Sequence, residues 1–129
     1  MNADERRSML DAITEQIIGC AFRVSNVLGA GFNEKVYENS LAHELRKADL
    51  GVEQQHAVKV NYDGVEVGSY VCDLLIGGAV IVELKAVSQL SSEHLAQCMN
   101  YLKATGVSVC LLINFGRPKV EVKRVVNDL

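Results

Sequence analysis

The chain has 129 residues, 49% hydrophobic and 22% charged, and its 13 Lys and Arg against 16 Asp and Glu give a formal net charge of −3. That size and balance describe a single domain over residues 1–129, large enough to bury a core without disulfides or structural metal. They exclude a histone-like binder, whose affinity for nucleic acid comes from an overall excess of cations, but not a nuclease, in which bound metal supplies positive charge locally.

Cys20, Cys72, Cys98 and Cys110 form no C-x-x-C pair and have mostly apolar neighbours, so they are expected as reduced, buried hydrophobes of a cytoplasmic protein. The opening Met-Asn-Ala-Asp-Glu-Arg-Arg has no apolar run behind it, and no stretch approaches a membrane span, so neither leader nor anchor is expected. One proline, Pro118, and no low-complexity block leave no candidate linker.

In chain order, Met9, Ile13, Ile17, Ala21, Val24 and Leu28 recur at three- and four-residue steps, predicting an amphipathic helix from about Asp4 to Leu28. Gly29-Ala30-Gly31 ends it. Asn33 caps a second helix over Glu34 to Lys47, with Glu34 in the first turn, where a carboxylate is stabilised by free N–H groups. The period then falls to two. Val58, Val60 and Tyr62 alternate with polar residues, Asp63-Gly64 signals a hairpin, and a strand resumes over Val65 to Leu75. After Gly77-Gly78, the run Ala79 to Val87 reads as a central strand. Ser91 or Ser92 caps a helix ending before Gly106. Val107 to Asn114 is a buried strand and Val120 to Val126 an exposed one. The order α-α-β-β-β-α-β-β predicts an α/β domain with helices packed on a mixed sheet.

Charge inside the apolar third strand is the most informative local feature. Glu83 and Lys85 are two apart and share a face, opposite Val82, Leu84 and Ala86. A half-exposed strand carrying a structural ion pair accounts for them simply. Asp73 lies ten residues earlier, and a hairpin at Gly77-Gly78 brings it across from Glu83. Two carboxylates converging at a strand end, with the Leu84 carbonyl beside them, suit Mg²⁺ or Mn²⁺, and Lys85 is placed to orient a bound water.

These residues carry a family likeness. Gly31-Phe32-Asn33-Glu34-Lys35-Val36-Tyr37 resembles the G-x-x-E-x-x-Y motif of the GxxExxY protein family, and Asp73 with Glu83-Leu84-Lys85 resembles the D…ExK of the PD-(D/E)xK nuclease superfamily to which it belongs. The likeness extends through Ala96–Lys103 and Leu111–Gly116, nearly the whole chain, with Cys72 replacing the usual proline before the first acid. It implies a restriction-endonuclease-like core of order α-β-β-β-α-β, and Glu34 reaching the metal site to complete its acidic cluster, with Tyr37 in support. Gln97 and Tyr101, four apart on a helix, resemble the Q-x-x-x-Y of RecB-like nucleases, where the pair helps to place DNA. A partly buried polar rim is the plainer account of them. In the same way, Glu34 as a helix-end carboxylate and Tyr37 packed on the sheet need no functional role.

Other chemistries fail on spacing. Glu34 stands where a dinucleotide fingerprint needs its third glycine, there is no Walker lysine-serine and no G-x-S-x-G elbow, and His94 with Cys98 makes only half a zinc site. His94 reads as an exposed first-turn residue. Arg117, Lys119, Lys123 and Arg124 read as a solvated edge strand, or as a phosphate-contacting patch if the substrate is nucleic acid. Two functions follow. The first is a Mg²⁺-dependent nuclease acting on DNA, a possible homodimer, with Asp73, Glu83, Lys85 and Glu34 catalytic and Gln97, Tyr101 and Tyr37 holding substrate. The second is a nucleic-acid-binding or protein-interaction module that keeps this fold without cleavage.

Overall fold

The computed structural model describes residues 1–129. Its elements are α1 (Ala3–Leu28), α2 (Glu34–Lys47), β1 (Val52–Tyr62), β2 (Val65–Ile76), β3 (Val80–Lys85), α3 (Ser92–Thr105), β4 (Val109–Asn114) and β5 (Glu121–Val126). The expected order therefore holds, and the α/β core with its mixed sheet is that of a restriction-endonuclease-like fold.

Each helix starts on a side chain that satisfies an N–H its own backbone leaves free. The Asn2 side chain accepts from Glu5 N–H, and the Asn33 side chain from Val36 N–H. At α3, Ser91 and His94 form a reciprocal capping box, with His94 Nδ1 accepting from Ser91 N–H at 3.1 Å. His94 is thus occupied as a cap. The turn out of α1 runs through Gly29, whose φ of 69° suits glycine.

The five strands lie in the order β1-β2-β3-β4-β5. All neighbours are antiparallel except β3 and β4, which run parallel because α3 carries the chain back between them. Helices α1 and α2 cover one face, where Ile17, Leu41, Leu45, Val82, Leu84 and Leu111 belong to the larger core. Helix α3 covers the other, where Ile81, Cys98, Leu102, Cys110 and Leu112 form the smaller one. Both faces of β3 and β4 are therefore buried, which is why those strands read as unbroken apolar runs. The cysteines are free and buried, as their neighbours implied. No helix is long and apolar enough to cross a membrane.

Three boundaries differ from expectation by two residues or more, two of them for a tertiary reason. Strand β1 begins at Val52, not near Val58, because the polar run Glu53–His56 pairs with the apolar end of β2 as an outer strand. Strand β3 ends at Lys85 instead of Val87, because Phe115 N–H bonds to the Lys85 carbonyl and the chain then crosses Gly116. Strand β4 starts at Val109, two residues late.

Candidate active site

The site forms where β2 and β3 part. Their ladder ends at Leu74 opposite Val82. One residue further, side chains replace the ladder: Asp73 N–H donates to Glu83 Oε1 at 2.8 Å, and Leu84 N–H donates to Asp73 Oδ2 at 2.8 Å. Each carboxylate is thus clamped by the other strand's backbone through one oxygen, and its second oxygen accepts no hydrogen bond from the protein.

A local irregularity makes this possible. Leu74 and Ile76 point into the core beneath α1 and α2, whereas Cys72 packs in the α3-side core, so the alternation of β2 slips at Asp73. Strand β1 slips with it: Val52 packs on the first core and Val58 in the second, and between them Gln55 takes a φ of 55°. Gln55 and Asp73 are the pair left out of the β1–β2 register. A non-glycine residue in that region is strained by about 1–3 kcal/mol and persists only when its surroundings hold it. Here Gln55 Nε2 donates to Glu38 Oε1 at 2.7 Å, and Gln54 Nε2 donates to Glu38 Oε2 at 2.8 Å. Glu38, on α2, is only 4% exposed and also pairs with Lys35 at 3.0 Å.

Burial sets the electrostatics. Glu83 is 3% exposed, and desolvation, followed by the charge of Asp73, pushes its pKa up to about 8. Burial also raises Asp73; the Leu84 N–H opposes this, Glu38 and Glu34 add to it, and Lys85 counters it. Lys85 shares the α3-facing side of β3 with Glu83 and forms no direct ion pair with either carboxylate. On α3, Gln97 is half-buried and Tyr101 is buried, its Oη donating to the Val71 carbonyl at 3.4 Å on the strand that carries Asp73. Burial, then the charges of Glu83 and Asp73, push the Tyr101 phenol up.

Two expected participants are placed differently. Glu34 is exposed in the first turn of α2. Nowhere do three or more His, Cys, Asp or Glu gather closely enough to hold a metal, so Glu34 does not complete a three-carboxylate group with Asp73 and Glu83. Its charge is felt at Asp73 without direct ligation. Tyr37 has no exposed surface: it stacks on Phe115 with centroids 4.7 Å apart, donates to the Gly29 carbonyl and accepts from Phe32 N–H. It has no face left for substrate, and it ties the Gly29–Phe32 turn to the core.

Asn114, fully buried at the end of β4, was not singled out by the sequence. Its Oδ1 accepts from Val87 N–H at 3.0 Å and Gly116 N–H at 2.9 Å, and its Nδ2 donates to the Val87 carbonyl at 2.9 Å and Glu121 Oε1 at 3.0 Å. With Phe115 N–H on the Lys85 carbonyl, this fixes the backbone on which Lys85 stands. A polar residue closing an apolar run was the available signal, as it was for Glu83.

A model of the PD-(D/E)XK nuclease superfamily matches residues 11–125. The chain belongs to that superfamily. No curated protein matches its sequence. Among solved structures, the alkaline exonuclease LHK-Exo from Laribacter hongkongensis is 13% identical with a TM-score of 0.50, over 89% of this chain and 82% of that one. The same exonuclease in complex with dAMP gives 13% and 0.51, over 84% and 76%. SSO0001 gives 16% and 0.55, over 97% of this chain and 62% of that one. At these identities the likeness is one of fold. Within this superfamily member, the fork between β2 and β3 is where Asp73 and Glu83 meet, with Lys85 on the same face of β3 as Glu83.

The donor set fits a divalent metal. Two desolvated carboxylates, each with an oxygen spare, make a hard site too poor in ligands to strip Mg²⁺ of its waters, and that ion is commonly held by only one or two carboxylates.

Proposed function

We propose that the chain is a metal-dependent nuclease that hydrolyses phosphodiester bonds in DNA, and that it belongs to the GxxExxY branch of the superfamily. The observation that carries this reading is the reciprocal clamp of Asp73 and Glu83, with Lys85 on the same face of β3. Asp73, Glu83 and the Leu84 carbonyl would hold Mg²⁺ or Mn²⁺, with Glu34 acting through water. When bound, the ion supplies a polarised scissile phosphate and a water of lowered pKa. Lys85 orients the attacking water and balances negative charge as it develops on the phosphate. Gln97 and Tyr101 position the substrate backbone. The branch assignment rests on Gly31, Glu34 and Tyr37, whose spacing fits that motif even though Tyr37 serves the turn.

The reading includes a homodimer in the cytoplasm, in which a second copy adds substrate contacts to those of this domain. Calorimetric titration with Mg²⁺ tests the site. Binding that disappears in Asp73→Asn supports the nuclease reading. No binding at millimolar Mg²⁺, together with no cleavage, favours the module that keeps the fold without the chemistry.

A further inference from the structure

We infer that the cavity between α3 and the outer halves of β1 and β2 is a subsite for one unstacked nucleobase of single-stranded DNA, next to the scissile phosphate. The inference rests on the nuclease reading for the position of that phosphate, and on the cavity itself for the base. The cavity is about 680 Å³, and Tyr101 in its lining hydrogen-bonds to the Val71 carbonyl, two residues before Asp73 on β2. That size falls within the range of small-molecule pockets.

Its chemistry is that of a base receptor. Val58 and Val60 give an apolar floor, and Tyr70, 56% exposed, offers a ring whose centroid is 6.2 Å from that of Tyr101 with the planes tilted by 56°. A third planar group is therefore free to stack on Tyr70. Around this ring stand the carboxamides of Asn61, Gln97 and Asn100, none bonded to the protein and each offering both donor and acceptor, as a base edge requires. The charged rim residues, Lys103 and Glu93, are of opposite sign, which suits an uncharged base better than a phosphate. A base stacked in a duplex cannot enter, so the occupant comes from a single strand or is flipped out.

The test is the affinity of a short fluorescein-labelled oligothymidylate in EDTA, read by anisotropy, with a single abasic residue moved along the strand. Tyr70→Ala is expected to weaken binding about tenfold, and Tyr70→Phe to restore it. One abasic position is expected to cost the wild type a similar factor and to cost Tyr70→Ala nothing further. Tyr70→Ala binding as tightly as wild type, an abasic penalty undiminished in Tyr70→Ala, or no binding of the oligonucleotide at all overturns the subsite. Asn100→Ala, an exposed change on α3, is expected to weaken binding to unmodified strands while its abasic penalty shrinks. Binding is read in EDTA and cleavage separately in Mg²⁺, so the outcomes separate: binding indifferent to Tyr70 alongside cleavage removes the subsite alone, and Tyr70-dependent binding without cleavage removes the nuclease reading alone.

Discussion

Replacing Glu83 by Gln leaves an acceptor for Asp73 N–H but removes a carboxyl that the metal-free protein buries only at the cost of holding it protonated above the pH at which a free glutamate ionises. The folded-state pKa of Glu83 stands at about 8 against 4.5 for a free glutamate. Between those values the native state holds a proton that the unfolded chain has already released, so its contribution to stability is full below pH 4.5 and is lost as pH rises to 8. At pH 7 the two pKa values correspond to a penalty on the order of 3 kcal/mol relative to a neutral side chain. In EDTA, Glu83→Gln should therefore match wild type near pH 4 and exceed it at pH 7, by roughly 10 °C in Tm. Urea denaturation across this range gives the same comparison in free energy. Mg²⁺ should close the gap by stabilising wild type alone and should release protons on binding at neutral pH. Wild-type and Glu83→Gln stability curves that stay parallel from pH 4 to pH 8 would refute the buried-charge argument.

Asn114→Ala leaves the Val87 N–H and carbonyl and the Gly116 N–H without their partner, and should cost about 2–4 kcal/mol in urea denaturation. It should also lower kcat more than it raises KM, because the backbone under Lys85 loosens. A Cβ added at Gly116 would lie 2.2 Å from the Val87 carbonyl oxygen and 2.3 Å from its nitrogen, so Gly116→Ala must displace the segment after Lys85. Cleavage is expected to fall about 100-fold for a shift near 1 Å, with wild-type-like circular dichroism. Tyr37→Phe keeps the stack on Phe115 and loses the bond to the Gly29 carbonyl, so it should cost about 1 kcal/mol and leave KM for DNA unchanged. A large rise in KM would return Tyr37 to the substrate.

Much of the fold was legible because local signals agreed. Asn33 and Ser91 cap the helices they precede, and the two-residue period of β1 and the apolar runs of β3 and β4 follow from how many faces each strand buries. The face shared by Glu83 and Lys85 came from alternation, and the approach of Asp73 from the hairpin at Gly77-Gly78. What was illegible depends on contacts remote in sequence. Nothing local to Gln54 or Gln55 shows that they reach Glu38, and the slip at Asp73 exists only because both strands change face together. The same holds for Glu34 and Tyr37: their spacing puts them on one helix, but the packing of α2 against the sheet decides that Tyr37 is sealed and Glu34 stays outside.

Cleavage of labelled single-stranded, duplex and branched DNA in Mg²⁺ or Mn²⁺ tests the nuclease reading most directly, with wild type, Asp73→Ala and Lys85→Ala compared at equal concentration. Wild type is expected to cut at least one of these substrates, to stop in EDTA, and to lose activity in both variants. Cleavage that survives both Asp73→Ala and Lys85→Ala would contradict the assignment of the site.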